Sequence, residues 1–132
     1  MTERPTRPAF TSRLKVVPDL FSPLPVCWVS LDGQELEERR EELADWVAWL
    51  RDRYGLDHRT VPDCWLQHGA LLEELSALHI AWVAAFSIDA RGDDPLRWHQ
   101  DFAAARQRLG DWISRSGCRP SEHRNASLRQ RG

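Results

Sequence analysis

The sequence predicts an all-α fold: a compact bundle of three main helices plus one short helix, with an extended Pro-rich N-terminal segment and flexible termini. Three observations predict it. Residues 32–55 carry helix start and stop signals around an amphipathic stripe. Residues 70–88 are apolar on nearly every helical face. Residues 94–117 repeat large apolar side chains at spacings of 4, 3, 4 and 3. A chain of 132 residues supports one core with tails. The division expected is a disordered arm over 1–13, a single helical domain over 14–117 and a basic C-terminal tail over 118–132.

Residues 1–13 hold Pro5, Pro8 and three arginines without periodicity. Residues 14–31 add Pro18, Pro23 and Pro25 among apolar side chains, a density that forbids a helix. Residues 14–17 and 26–29 therefore read as short extended pieces lying across a core. The first helix has Asp32 as N-cap and Glu35 at N3, a capping box, with Leu31 and Leu36 placed for a hydrophobic staple. Glu35, Glu37 and Glu38 suit its positive end, Arg51 and Arg53 its negative end, and Gly55 stops it. Leu36, Leu43, Val47, Leu50 and Tyr54 form the stripe, with Trp46 on its edge. At 100° per residue Trp49 falls roughly 140° away. That indole is either covered by the Pro-rich segment or, with Arg53 beside it, presented to a partner protein.

A loop at 56–60 leads to Pro62, which suits the first turn of a short helix through Gln67, and Gly69 breaks that helix. The main helix of about 70–88 follows. Leu71, Leu75, Leu78, Trp82 and Phe86 make its stripe, Leu72, His79 and Val83 widen it, and Ala77, Ile80, Ala81 and Ala84 leave almost no polar face. Such a helix belongs between the other two. The third helix has Asp94 as N-cap and Pro95 at N1. Its stripe is Trp98, Phe102, Ala105, Leu109 and Trp112, and Gly117 is its C′ residue.

Charge and cysteine usage narrow the setting. Net charge is −2, yet residues 32–94 hold 15 acids against 6 bases while residues 95–132 hold 3 acids against 8 arginines. The Arg-rich end either docks on or is solvated beside the acidic domain, or it neutralises nucleic-acid phosphates through Arg115, Arg119, Arg124, Arg129 and Arg131. Of 18 basic residues 17 are arginine, as the codon usage of a GC-rich genome produces. Three cysteines cannot all pair, none lies in a C-x-x-C, and no cleavable apolar leader opens the chain, so the expectation is a cytoplasmic protein with reduced thiols. The longest uncharged run, residues 75–88, is 14 long, short of the roughly 20 a membrane span needs.

Chemistry concentrates around Cys64-Trp65-Leu66-Gln67-His68. Cys64 and His68 stand four apart and share a helical face; Cys118 and His123 stand five apart. Together the four compose a Cys2His2 zinc ligand set. Against it, neither pair forms a compact knuckle, and a domain with this core folds without metal. The plainer reading makes Cys64 a small buried hydrophobe and His68 the residue that orders the turn before Gly69. His79 reads as a hydrogen-bonded core histidine rather than a general base. A Cys64–His68 nucleophile pair lacks an orienting third group, and no phosphate-binding loop or nucleophile elbow occurs. No catalytic residue, metal or cofactor is therefore expected, nor a small-molecule ligand.

The pattern Cys64-Trp65-x-x-His68 followed by Glu74-Leu75-x-Ala77-Leu78-x-x-Ala81-Trp82 resembles a family of actinobacterial, Streptomyces-type proteins of unknown function. Its members are found on plasmids, integrative conjugative elements and phages. Trp98-His99 and Gly117-Cys118 resemble further features of that family, while Gly69-Ala70 stands where the family has Pro-Glu. The resemblance implies a cytoplasmic accessory protein of a mobile genetic element. The expected function is non-enzymatic interaction with another protein, or with a second copy. The alternatives are a nucleic-acid-binding accessory and a small zinc-stabilised domain.

Overall fold

The structure, a computed structural model, describes residues 23–118, and among these it is all-helical without strands. Helix α1 spans Gly33–Tyr54, α2 Gly69–Ala85 and α3 Asp94–Ser116; short 3-10 turns occupy Trp28–Ser30 and Trp65–Gln67. No described helix is long and apolar enough to cross a membrane. The expectations for residues 1–22 and 119–132 lie outside the described residues. Within 26–29, the expected extended piece is instead an irregular entry into the first 3-10 turn, where Trp28 is buried and Val29 faces solvent.

The caps follow the sequence in position more closely than in mechanism. Asp32 is the N-cap of α1, but its carboxylate makes no capping bond. The amide of Leu36 donates to the Asp32 carbonyl at 3.2 Å instead. Gly33 sits at φ 55°, outside the helical geometry a capping box needs at N1, so the box does not close. Gly55 and Gly117 end α1 and α3 at φ 63° and 75°, the left-handed conformation glycine adopts without steric cost. The N-cap of α3 is Asp93, one residue before the expected Asp94, and α2 ends at Ala85 rather than 88.

All three helices meet at Trp46, which is fully buried. Its ring stacks on His79 of α2 at 4.8 Å, lies 6.2 Å from Trp82 and takes the edge of Trp98 of α3 at 6.4 Å. The sequence placed Trp46 on the margin of the α1 stripe. It becomes the centre because α1 is packed from two sides, which widens the buried arc. The same widening brings in Trp49, half-buried and 5.3 Å from Trp82. Tyr54 and Phe102 (4.9 Å apart) continue this aromatic seam toward α3, and Trp98 closes it by donating Nε1–H to the Leu78 carbonyl at 3.0 Å.

Helix α2 packs most extensively on α3 and touches α1 as well, but it is not enclosed on every face. Ala77 and Ala81, one turn apart, are exposed. A methyl side chain costs little to leave in water, so an apolar helix can keep an alanine ridge outside. Glu74 on α2 takes two bonds from the Arg108 guanidinium of α3, both 2.8 Å, a bidentate clamp across the interface.

Candidate metal centre

The centre is assembled by two chain turns. In the first, the Trp65 amide donates to the Pro62 carbonyl at 3.1 Å, Gln67 to Cys64 at 2.9 Å and His68 to Trp65 at 3.1 Å, winding the 3-10 turn. Trp65 inside that turn is buried and anchors it to the core, which fixes Cys64 and His68 on either side. In the second, α3 stops at Ser116, whose buried hydroxyl donates to the Ile113 carbonyl (2.8 Å) and accepts the Cys118 amide (3.2 Å). Left-handed Gly117 between them turns the chain, and Cys118 enters the same space.

Three donor atoms converge there. Cys118 Sγ lies 3.1 Å and Cys64 Sγ 3.5 Å from His68 Nε2, and the two sulfurs are 3.6 Å apart. With zinc–sulfur bonds of about 2.3 Å and zinc–nitrogen bonds of about 2.0–2.1 Å, tetrahedral edges are about 3.8 Å for S···S and about 3.6 Å for S···N. Two of the three distances match within about 0.2 Å, and the third is about 0.5 Å short. A thiol relay, in which Cys64 S–H donates to Cys118 Sγ and Cys118 S–H to the single Nε2 lone pair, also satisfies the three contacts. A cation held there would take that lone pair and both sulfurs at once. His68 and Cys118 are buried and Cys64 partly so. In the thiol form, burial and then the hydrogen bond to, and charge of, Cys118 push Cys64 up to about 11.

His68 occupies the N-cap position of α2, yet its side chain makes no capping bond. It reaches the cysteines instead. Of the four residues of the sequence-derived ligand set, the structure brings three together; His123 lies outside the described residues. The exposed Cys27 is not part of the cluster. A solvent-open cleft of about 920 Å³ runs past Cys118 between His58, Arg59, Arg106 and Ser114, giving solutes a route to the centre.

The remaining candidates are dispersed. His79 is buried, and burial lowers its pKa to about 4, so the imidazole stacked on Trp46 is neutral. Trp49 packs into the aromatic seam and stays half-buried, whereas Arg53 is exposed. Arg115 lies over the Trp112 ring at 5.3 Å on the surface; Arg119, Arg124, Arg129 and Arg131 lie outside the described residues. Two features escaped sequence reasoning: the Trp46–His79 stack, and the Tyr54 hydroxyl bonded to His99 Nε2 at 2.9 Å. The signal for the second is that Tyr54 lies on the α1 stripe and His99 directly follows the core residue Trp98. Comparison with protein families, with curated proteins and with solved structures finds no match.

Proposed function

We propose that this chain is a small metal-stabilised helical domain acting by contact with other macromolecules, not by catalysis. The convergence of Cys64, His68 and Cys118 is the observation that carries it. Two thiolates and an imidazole at tetrahedral spacing select zinc among abundant divalent ions. His123, five residues after Cys118, is the fourth donor expected from the sequence, and a closed set of four protein ligands leaves no position for a substrate. The ion ties residues 54 apart in the chain. Closing a loop of that length removes denatured-state entropy of about 4 kcal/mol by the cross-link relation. Stoichiometric zinc after purification in metal-scavenged buffer, with a fall in Tm on chelation, is the expected result. Cobalt substitution should add thiolate-to-metal charge-transfer absorption. Protein that folds identically with and without chelator, and takes up no cobalt, would sink the reading.

The contact function is favoured by a second observation. Phe86 and Ile88, just after α2, and Leu96, in the first turn of α3, are large apolar residues more than half exposed. Exposed apolar side chains grouped in this way mark interaction surfaces. This end of the bundle is a second contact candidate beside Trp49 and Arg53. Paired Ile88→Asp and Leu96→Asp changes should abolish self-association or partner capture at unchanged Tm; unchanged association removes the surface. The accessory role on a mobile element rests on the motif resemblance, and its partner would be encoded nearby.

A further inference from the structure

We infer that Cys64 and Cys118 form an oxidant-sensitive pair, in which a hydroperoxide converts the two metal-bound thiolates into a disulfide and expels the ion. The inference rests on the metal centre proposed above and adds a modification to it. Its basis is placement. The two sulfurs are 3.6 Å apart, and a disulfide of about 2.05 Å needs them to close by roughly 1.5 Å. They belong to separate turns, one before α2 and one after α3, so the closure falls on two segments outside the main helices. The centre is also reachable. Cys64 is only partly buried, and the cleft runs past Cys118.

The chemistry balances without a further reagent. A thiolate is the nucleophile toward peroxides, and a metal centre holds both sulfurs as thiolates. Cys64, the more accessible of the two, attacks the distal peroxide oxygen, giving a sulfenic acid and one hydroxide. Cys118 Sγ then attacks the Cys64 sulfur and releases a second hydroxide. Two thiolates have lost two electrons, hydrogen peroxide has become two hydroxide ions, and the divalent ion leaves because both anionic ligands are gone. His68 is released as a neutral imidazole. The 54-residue tie survives in covalent form, so oxidation exchanges the ion for a bond without opening the fold.

The exposed Cys27 is a competing thiol, and Cys27→Ser removes it from the assay. Full-length zinc-loaded Cys27→Ser protein is titrated with hydrogen peroxide. Released zinc is followed with a chromogenic chelator, and the cross-link by non-reducing peptide mapping. One zinc released per Cys64–Cys118 disulfide, reversed by dithiothreitol and added zinc, is the expected result. Cys118→Ser on the same background should arrest at a dimedone-trappable Cys64 sulfenic acid. Zinc retained under peroxide, or zinc lost with the cysteines converted to sulfinic acids and no cross-link, overturns the inference while leaving the metal centre standing. Protein that binds no zinc removes the metal centre instead. The thiol pair is then judged on the metal-free protein, where formation of the cross-link upholds the pair and its absence overturns it.

Discussion

Acidification should destabilise this fold through His79 well before its carboxylates are all protonated. The imidazole is 5% exposed and stacked on Trp46 at 4.8 Å. Two effects oppose each other there. An imidazolium over an indole face gains about 1–2 kcal/mol from the ring quadrupole. Burial penalises the same charge, and burial wins, since the pKa falls from 6.5 to about 4. The native state therefore binds fewer protons than the unfolded chain between those values. His79 contributes its full stability above pH 6.5, and that contribution is lost as pH falls toward 4. From these two pKa values the loss is on the order of 1 kcal/mol at pH 5.5 and 2–3 kcal/mol at pH 4.5. Urea unfolding at pH 7.5, 5.5 and 4.5, with chelator present throughout, measures it against His79→Gln. The variant loses the ring stack equally at every pH, so the difference in slope isolates the titration. Equal pH dependence in both proteins, or a His79 ring titrating at or above 6.5 by NMR, refutes the reasoning.

Other perturbations have equally definite outcomes. Trp46→Ala empties the point where the three helices meet and should cost about 3–5 kcal/mol in chemical denaturation, enough to unfold a marginal domain. A loss under 1 kcal/mol would mean that the helices meet elsewhere. Gly117→Ala forces a side chain into φ 75° at a cost of about 1 kcal/mol, and by displacing Cys118 it should weaken zinc more than a comparable strain at Gly55, read by competition with a chelator of known affinity. His123→Ala should lower zinc affinity at least tenfold while leaving the metal-free Tm unchanged; equal affinity would assign the fourth position to water or another donor.

How much of this was legible in the sequence depends on what kind of contact is in question. Helix ends were readable because glycine's left-handed freedom is a local property, as Gly55 and Gly117 show. The stripes of α1 and α3 were readable through Leu109 because periodicity projects onto one axis, but the last turn of α3 buries Ile113 and exposes Trp112, which the spacing had placed in the stripe. The place of Trp46 was not, since it depends on two neighbours approaching α1 from different directions. Nor did the all-apolar face of α2 predict that Ala77 and Ala81 stay in solvent, because a small side chain carries little preference either way. The candidate metal centre sat between these cases. Its donor types and their pairwise spacing were visible, but the juxtaposition of Cys64 with Cys118 is produced by the whole α2–α3 hairpin. No sequence period encodes it.

The proposed metal centre, placed at the open end of that hairpin, would have a mechanical consequence. With an ion bound, load applied between residues 1 and 132 would pass through Cys64 and Cys118 and bypass everything between. A pulled molecule with the clasp shut would extend by about 180 Å less than one with it open, at roughly 3.3–3.6 Å for each of the 54 shielded residues. Helix α1 would yield first and alone, while α2 and α3 stay out of the line of force. The difference in contour length between metal-bound and chelated molecules in an optical trap is therefore a direct ruler of the loop the centre closes.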